Sequence, residues 1–236
     1  PVRNYIDQSH EFALCLFVMA PLLLSFAANG HRAWTFALAA VMLGFYLDMR
    51  VVATSRTAFV YFPILLILFA VKYLNRRHAI YFLMFAAVVE FGVLLSSPYL
   101  RDRIERTVHD YKVDRDKNAY KEVDRETDAA TSNGLRLAYW RVSIRSISEA
   151  PVFGHGTGST LQLFSREAEG KSGEWGNIIR NPHNQTLYVA IQWGVLGCLV
   201  LYAMWYFHLQ LFRGSFFASW IGLVIVAQNF ISSLLN

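Results

Sequence analysis

Charged residues are missing from long stretches of this sequence. There is no Lys, Arg, Asp or Glu from Asn181 to Phe212, and there is none from Gly214 to Asn236. Of the 22 basic and 17 acidic residues, 14 basic and 13 acidic ones lie between Pro98 and Asn184. This distribution excludes a single globular core with an evenly charged surface. The net charge of +5 does not indicate nucleic-acid binding either, because the charged block is itself nearly neutral.

Cysteine is also scarce. The two cysteines, Cys15 and Cys198, both fall inside apolar runs, so they are interpreted as small apolar residues and not as a disulfide or a metal-binding pair. No secretory signal peptide is recognisable, because the chain opens with Pro1 and a polar run from Arg3 to Glu11. The missing initial Met and the apolar run that continues to Asn236 predict a fragment that lacks upstream spans.

Apolar runs of membrane-spanning character fill most of the remaining sequence. They are Phe12–Ala28, Ala33–Leu47, Thr57–Val71, Ala79–Ser97 and the two uncharged stretches after Asn181. The second and third are short for about 30 Å of hydrocarbon, which predicts tilted helices or snorkelling flanks. Six such runs in one chain favour membrane spans over the buried helices of a large soluble protein. The predicted fold class is all-α, a polytopic integral membrane helix bundle.

Short loops between these runs predict the orientation in the membrane. Lys and Arg prefer the cytoplasmic side of a membrane. Basic residues occur in every second loop between the apolar runs: at Arg32, from Lys72 to Arg77 and at Arg213. We therefore predict four transmembrane helices in residues 1–97, a large, partly helical periplasmic loop in 98–184 and two transmembrane helices in 185–236.

The predicted periplasmic loop has two parts. From Arg101 to Asp128, 17 of 28 residues are charged with alternating signs, which is typical of a solvated helix or a mobile lid. Within it, Asp114 and Asp116 resemble the paired aspartates that hold a metal in many glycosyltransferases, although a solvated face is the favoured interpretation. The second part predicts an amphipathic helix that ends before Pro151. Its apolar residues at helical spacing are Leu137, Trp140, Ile144 and Ile147.

Two further residues have a possible chemical role. Glu90 lies in the fourth apolar run, where an ionised carboxylate is expensive. It could relay a proton, but a neutral Glu hydrogen-bonded to a neighbouring span is favoured because no clear Lys partner is present in the spans. His155 lies among Gly154, Gly156 and Gly158, a bend whose amides could bind a phosphate. The phosphate loop's Lys-Ser/Thr ending is missing, so a structural turn is favoured.

His183 and three arginines are the candidate site. His183 lies in Asn-Pro-His-Asn, where the polar loop meets a helix start, and its imidazole could remove a proton from a sugar hydroxyl. The other interpretation is an interfacial His with Asn184 as helix cap. Arg56, Arg136 and Arg141 lie on the same predicted side, where guanidinium groups could bind pyrophosphate without a metal or contact lipid headgroups.

As an ordered set, these motifs resemble the O-antigen ligase and polymerase superfamily of bacterial membrane glycosyltransferases. The matching elements are Ser55-Arg56-Thr57-Ala58, Gly134-Leu135-Arg136-Leu137, Trp140-Arg141, Ala150-Pro151, Gly154-His155-Gly156-Thr157-Gly158, Pro182-His183-Asn184 and Gly194-Val195-Leu196-Gly197. The resemblance covers nearly the whole chain, and it indicates a GT-C-like C-terminal half of a family member, which usually has some twelve spans.

The resemblance implies an O-antigen ligase in the bacterial inner membrane. Such enzymes transfer a glycan from undecaprenyl pyrophosphate to a sugar hydroxyl of the lipid A core at the periplasmic face, by an inverting reaction that needs no metal or other cofactor. On this reading His183 is the general base. Arg56 and Arg136 hold the donor pyrophosphate, and Arg141 is an auxiliary residue. The expected partners are the lipid-linked donor, the lipid A-core acceptor and membrane lipids, with no nucleic acid.

Two alternatives stay open from the sequence. An O-antigen polymerase or a protein O-oligosaccharyltransferase would use the same type of donor with another acceptor. From a different class, half of a transporter or flippase would place Glu90 in a polar pathway and would form no glycosidic bond.

Overall fold

The computed structural model describes residues 5–51, 56–96, 105, 132–169, 180–214 and 217–235. Within these residues the regular secondary structure is α-helical, and it forms eight helices. They are α1 (Tyr5–Ala28), α2 (Arg32–Val51), α3 (Arg56–Tyr73), α4 (Arg76–Ser96), α5 (Ser132–Glu149), α6 (Ser159–Ala168), α7 (Gln185–Leu211) and α8 (Phe217–Ser233). The predicted all-α fold class is confirmed.

Three helices in the described part of the chain are long and apolar enough to cross a membrane. They are α1 from Asp7 onward, α4 and, when its length is counted across the break at Gly194, α7, whereas α3 from Thr57 and α8 are shorter apolar helices. No residue of α4 is fully buried, so its apolar side chains are available to lipid. The protein is therefore a helical membrane protein. The presence of six transmembrane helices in this chain stays a prediction.

The first of two compact units contains Pro1–Val93 and Trp205–Leu235. Helix α1 packs against α2, α3 and α8, and α3 also packs against α8. Trp220 of α8 lies at the centre, fully buried, where its indole N–H donates a hydrogen bond to the carbonyl oxygen of Phe17 at 2.6 Å. Because a buried indole N–H needs a partner, this bond fixes α8 against α1.

The second compact unit contains Leu94–Met204, and the structure describes α5, α6 and most of α7 within it. Pro151 follows the end of α5, as predicted. The face of α5 that is buried differs from the expected apolar stripe: Ser143 is 0% exposed and Ser146 6%, whereas Ile144 is 60% exposed. The His155 side chain contacts this part of α5, where its ring nitrogen is hydrogen-bonded to the Ser146 carbonyl oxygen.

Helix α7 is broken at Gly194, where the backbone has φ 60° and ψ −155°. The hydroxyl groups of Thr186 and Tyr202 are hydrogen-bonded at 2.9 Å, although 16 residues of straight helix would separate them by about 24 Å. The chain therefore folds back at Gly194, and its halves lie side by side. This corrects the sequence-based expectation of one uninterrupted span.

Candidate functional site

The loop that carries His183 is held by asparagine side chains on both sides. The Asn181 side-chain oxygen accepts a hydrogen bond from the His183 backbone N–H at 2.9 Å, and His183 has a left-handed backbone with φ 56°. The Asn184 side-chain oxygen accepts from the Leu187 N–H at 3.0 Å, which caps α7. The predicted cap at Asn184 is confirmed. His183 thus lies directly before the first turn of α7 in a fixed backbone conformation.

A hydrogen bond from Trp140 connects helix α5 to this loop. The indole N–H of Trp140 donates to the carbonyl oxygen of Pro182 at 3.1 Å, and Pro182 is fully buried. Arg136 lies one helical turn before Trp140, so the two side chains share a face of α5. Trp140 and Pro182 are 42 positions apart in sequence. Their contact brings the helix that contains Arg136 to the loop that contains His183.

The pKa of His183 is lowered from its ordinary value. Partial burial is the larger cause, because it disfavours the charged imidazolium, and the positive charge of Arg136 adds to it. A lowered pKa favours the neutral imidazole, in which one ring nitrogen carries no proton. This protonation state is the one that a general base requires.

The other two predicted arginines are not brought to His183 by the contacts described. Arg141 is partly buried on α5, and the helical repeat places it about 140° round the helix from Arg136. Arg56 is the first residue of α3 and belongs to the other compact unit. Its side chain lies outside the described residues, so its role stays a prediction.

The glycine-rich bend that contains His155 is interlocked with the break in α7. The backbone N–H groups of His155 and Gly156 donate to the carbonyl oxygens of Ile191 and Gln192 at 2.8 and 2.9 Å, and the Gly158 N–H donates to the Gln192 side-chain oxygen at 2.7 Å. In return, the Val195 N–H donates to the Pro151 carbonyl oxygen at 2.9 Å.

These hydrogen bonds decide between the two interpretations of His155. Its Nε2 donates to the carbonyl oxygen of Ser146 at 2.7 Å, which joins the bend to the end of α5. The backbone N–H groups of Gly154, His155, Gly156 and Gly158 already have protein acceptors. The bend is a structural turn, and the phosphate-loop interpretation is wrong.

Sequence reasoning missed the partner of Glu90. Arg50 of α2 forms an ion pair and hydrogen bond with the Glu90 carboxylate, and the Tyr46 hydroxyl donates to the same oxygen at 3.2 Å. The apolar run ends at Leu47, so the sequence alone predicts Arg50 in the following loop, but α2 continues to Val51. The sequence did contain a signal for this pair. Glu90 is a single carboxylate inside one apolar run, and Arg50 lies just past the end of another.

The predicted metal-binding pair Asp114 and Asp116 lies outside the described residues, as does nearly all of the charged segment 101–128. Among the residues that are described, His, Cys, Asp and Glu side chains form no cluster of three that could hold a metal ion.

A family model described as O-antigen ligase matches residues 39–203, which is well over half of the chain and includes His183 and all three candidate arginines. The chain belongs to the O-antigen ligase family. No curated protein matches it significantly. Membership in the O-antigen ligase family indicates a membrane glycosyltransferase-like enzyme of the ligase or polymerase type, with a polysaccharide or lipid-linked glycan as its substrate.

Proposed function

We propose that this member of the O-antigen ligase family is an O-antigen ligase of the inner membrane. It transfers a glycan from undecaprenyl pyrophosphate to a sugar hydroxyl of the lipid A core at the periplasmic face. The observation that carries the proposal is the hydrogen bond from Trp140 to Pro182, because it brings the helix that contains Arg136 to the loop that contains His183. In this arrangement the charge of Arg136 adds to partial burial in lowering the pKa of His183. The family match supports the reaction class.

His183 acts as the general base. Its free ring nitrogen takes the proton of the acceptor hydroxyl while the hydroxyl oxygen attacks the anomeric carbon of the donor sugar. The bond from that carbon to the pyrophosphate oxygen breaks, and the electron pair leaves with the pyrophosphate. One in-line displacement inverts the anomeric configuration. The left-handed backbone and the Asn181 contact fix the backbone of His183, which favours a productive geometry.

Arg136 and Arg56 bind the donor pyrophosphate, with Arg141 as an auxiliary cation. A guanidinium group forms two parallel hydrogen bonds to phosphate oxygens and keeps its charge at any physiological pH, so it stabilises the negative charge that develops on the leaving group. In this mechanism the arginines carry out the stabilisation that a divalent cation provides elsewhere. Transfer by the purified protein is then expected to continue in excess EDTA, and loss of activity that magnesium or manganese restores would contradict this.

Substitutions at the site test the proposal in a ligase-null strain. His183→Asn keeps a residue that tolerates left-handed backbone but cannot accept the proton, so polymer attachment should fall by about 10²- to 10⁴-fold. Arg136→Ala and Arg56→Ala should also reduce it strongly. The measurement is the lipopolysaccharide gel profile at matched protein levels, with the exposed Arg145→Gln as control. Normal polymer attachment in the His183→Asn strain would refute the base assignment.

The acceptor separates the ligase from its relatives. Purified whole protein is incubated with radiolabelled lipid-linked glycan and lipid A core, and label should pass to the core. Elongation of the lipid-linked glycan alone would indicate a polymerase, and transfer to a protein acceptor would indicate an oligosaccharyltransferase. A transporter would form no new glycosidic bond under these conditions.

A further inference from the structure

A partly buried ion pair connects two helices of the first compact unit. The Arg50 side chain is 2% exposed and that of Glu90 is 23% exposed. The Tyr46 hydroxyl donates to the same carboxylate oxygen that binds Arg50. Tyr46 and Arg50 are four residues apart on α2, so both reach Glu90 of α4 from one helix face. The carboxylate thus ties the end of α2 to α4.

Arg50 also contacts a third helix through its guanidinium plane. The guanidinium carbon lies 4.8 Å from the ring centre of Phe59 and 4.7 Å from that of Phe62, both on α3. A flat guanidinium packs favourably against aromatic faces, with an attraction that grows when both groups are removed from water. Phe59 is three residues after Arg56, on the same side of α3. Arg50 therefore packs against the first two turns of the helix that begins at Arg56.

Stability alone is a weak explanation for such a pair. A buried ion pair often contributes no more than well-packed apolar side chains would, because both charges lose their hydration. Arg50 also keeps a buried Nε without a hydrogen-bond partner in the described part of the chain. What the pair provides is a defined geometry, since the carboxylate and the two rings together allow few positions of the guanidinium. Its charge is neutralised by Glu90, so Arg50 is poorly suited to bind a phosphate itself.

We propose that Arg50 is a positioning residue for the donor pyrophosphate: paired with Glu90, it fixes the backbone of the first turns of α3, the helix that begins at Arg56. This rests on the proposed function, in which Arg56 binds the donor. Arg50 acts on the substrate only through Arg56.

The test is a double-mutant cycle on donor-lipid binding. The probe is undecaprenyl pyrophosphate, titrated against the purified whole protein in lipid nanodiscs. Arg50→Lys keeps the charge but removes the flat contact with the rings, and it should weaken binding about tenfold, or about 1.4 kcal/mol. Arg56→Ala should weaken binding at least as much. In the double variant, Arg50→Lys should add nothing to the loss caused by Arg56→Ala, because the two act in series.

A second cation–aromatic contact in the same unit is the matched control. Lys72 lies near the other end of α3, with its ammonium 5.9 Å from the Trp220 ring and donating to the Gly214 carbonyl oxygen at 3.0 Å. Lys72→Gln should lower the unfolding temperature without changing the affinity for undecaprenyl pyrophosphate. Glu90→Gln should weaken lipid binding, and this loss should also vanish when Arg56 is Ala.

The outcomes separate the two proposals. If Arg56→Ala binds the lipid as tightly as the parent protein, the assignment of Arg56 fails, and the positioning role fails with it. If Arg56→Ala weakens binding while Arg50→Lys does not, or if the two losses add, the positioning role alone is overturned. Loss of binding in Lys72→Gln equal to that in Arg50→Lys would likewise overturn it, because general destabilisation would then explain both.

Discussion

His183 occupies a backbone conformation that few residues other than glycine adopt. Its φ of 56° is stabilised locally by Asn181, and Pro182 before it is fully buried and accepts a hydrogen bond from Trp140. Strain of this kind costs on the order of 1–3 kcal/mol, so the surrounding contacts must compensate for it. The backbone position of His183 is therefore fixed by the contacts of its loop.

The pH dependence of the reaction tests the pairing of Arg136 with His183. A base must be deprotonated, so the rate falls on the acid side as pH drops through the pKa of His183. Burial and Arg136 lower this pKa. Removing the positive charge with Arg136→Gln should raise it, and the acid limb of kcat/KM should move to higher pH. The position of the limb is independent of the expected fall in rate.

The exposed Arg145, which pairs with Glu167 at 3.4 Å, provides the control for this profile. Arg145→Gln should leave the acid limb in place because its charge is screened by solvent. An acid limb that stays in place or moves to lower pH in Arg136→Gln would contradict the proposed effect of Arg136 on His183.

At the scale of elements, the bend after α5 and the break in α7 form one unit of structure. A Cβ on Gly154 would overlap the backbone of Gln192 and Trp193, and a Cβ on Gly194 would overlap the backbone of Val152 and Phe153. Both glycines also have positive φ. Two sequence motifs that are about 40 residues apart thus need glycine for the same reason, because each backbone lies directly against the other.

Alanine substitutions separate this close approach from backbone strain. Gly156 and Gly158 also have positive φ, but a Cβ on either meets no atom within 4 Å. Gly156→Ala and Gly158→Ala should therefore cost only the left-handed penalty, about 1–2 kcal/mol. Gly154→Ala and Gly194→Ala should cost about 1–3 kcal/mol more, because backbone atoms must move apart.

Thermal unfolding of the four purified variants in detergent measures this difference. The two close-contact variants should unfold at clearly lower temperatures than the two control variants. Equal unfolding temperatures across all four would contradict the interlocked arrangement, since they would leave backbone strain as the only effect of the added methyl group.

At the scale of the whole molecule, the charge distribution predicts the orientation of the chain in the membrane. The basic residues of three short loops predict that those loops face the cytoplasm and that the block 98–184 faces the periplasm. The proposed function requires that side, because His183 and Arg136 belong to this block. The orientation is independent of how the helices pack, so it can be tested separately.

Cysteine labelling tests the orientation. In a background with Cys15→Ala and Cys198→Ala, single cysteines replace two exposed residues, Gln162 of α6 and His31 of the first short loop. A membrane-impermeant maleimide applied to intact spheroplasts should label Gln162→Cys, and it should label His31→Cys only after permeabilisation. Labelling of His31→Cys in intact spheroplasts would contradict the predicted orientation.

The match between predicted and observed helices follows from the membrane environment. Apolar runs without charge must form helices, because hydrocarbon offers no partner to backbone N–H and C=O groups. The predicted helix before Pro151 and the cap at Asn184 are likewise confirmed, since both depend on neighbouring residues alone. The buried face of α5 was not predictable in this way. Its exposed Ile144 and buried Ser143 depend on what packs against the helix.

The sequence by itself determined the all-α membrane class and the family, because the lengths of the apolar runs and the order of the motifs are visible in the sequence. Only the tertiary structure decided which residues meet. Arg50 reaches Glu90 across 40 positions, Trp140 reaches Pro182 across 42, and the bend at His155 closes on the break at Gly194. Helical periodicity gives the side of a helix on which a residue lies, but not the neighbour that this side faces. Those neighbours give His183 its lowered pKa and Arg50 its three-helix contact.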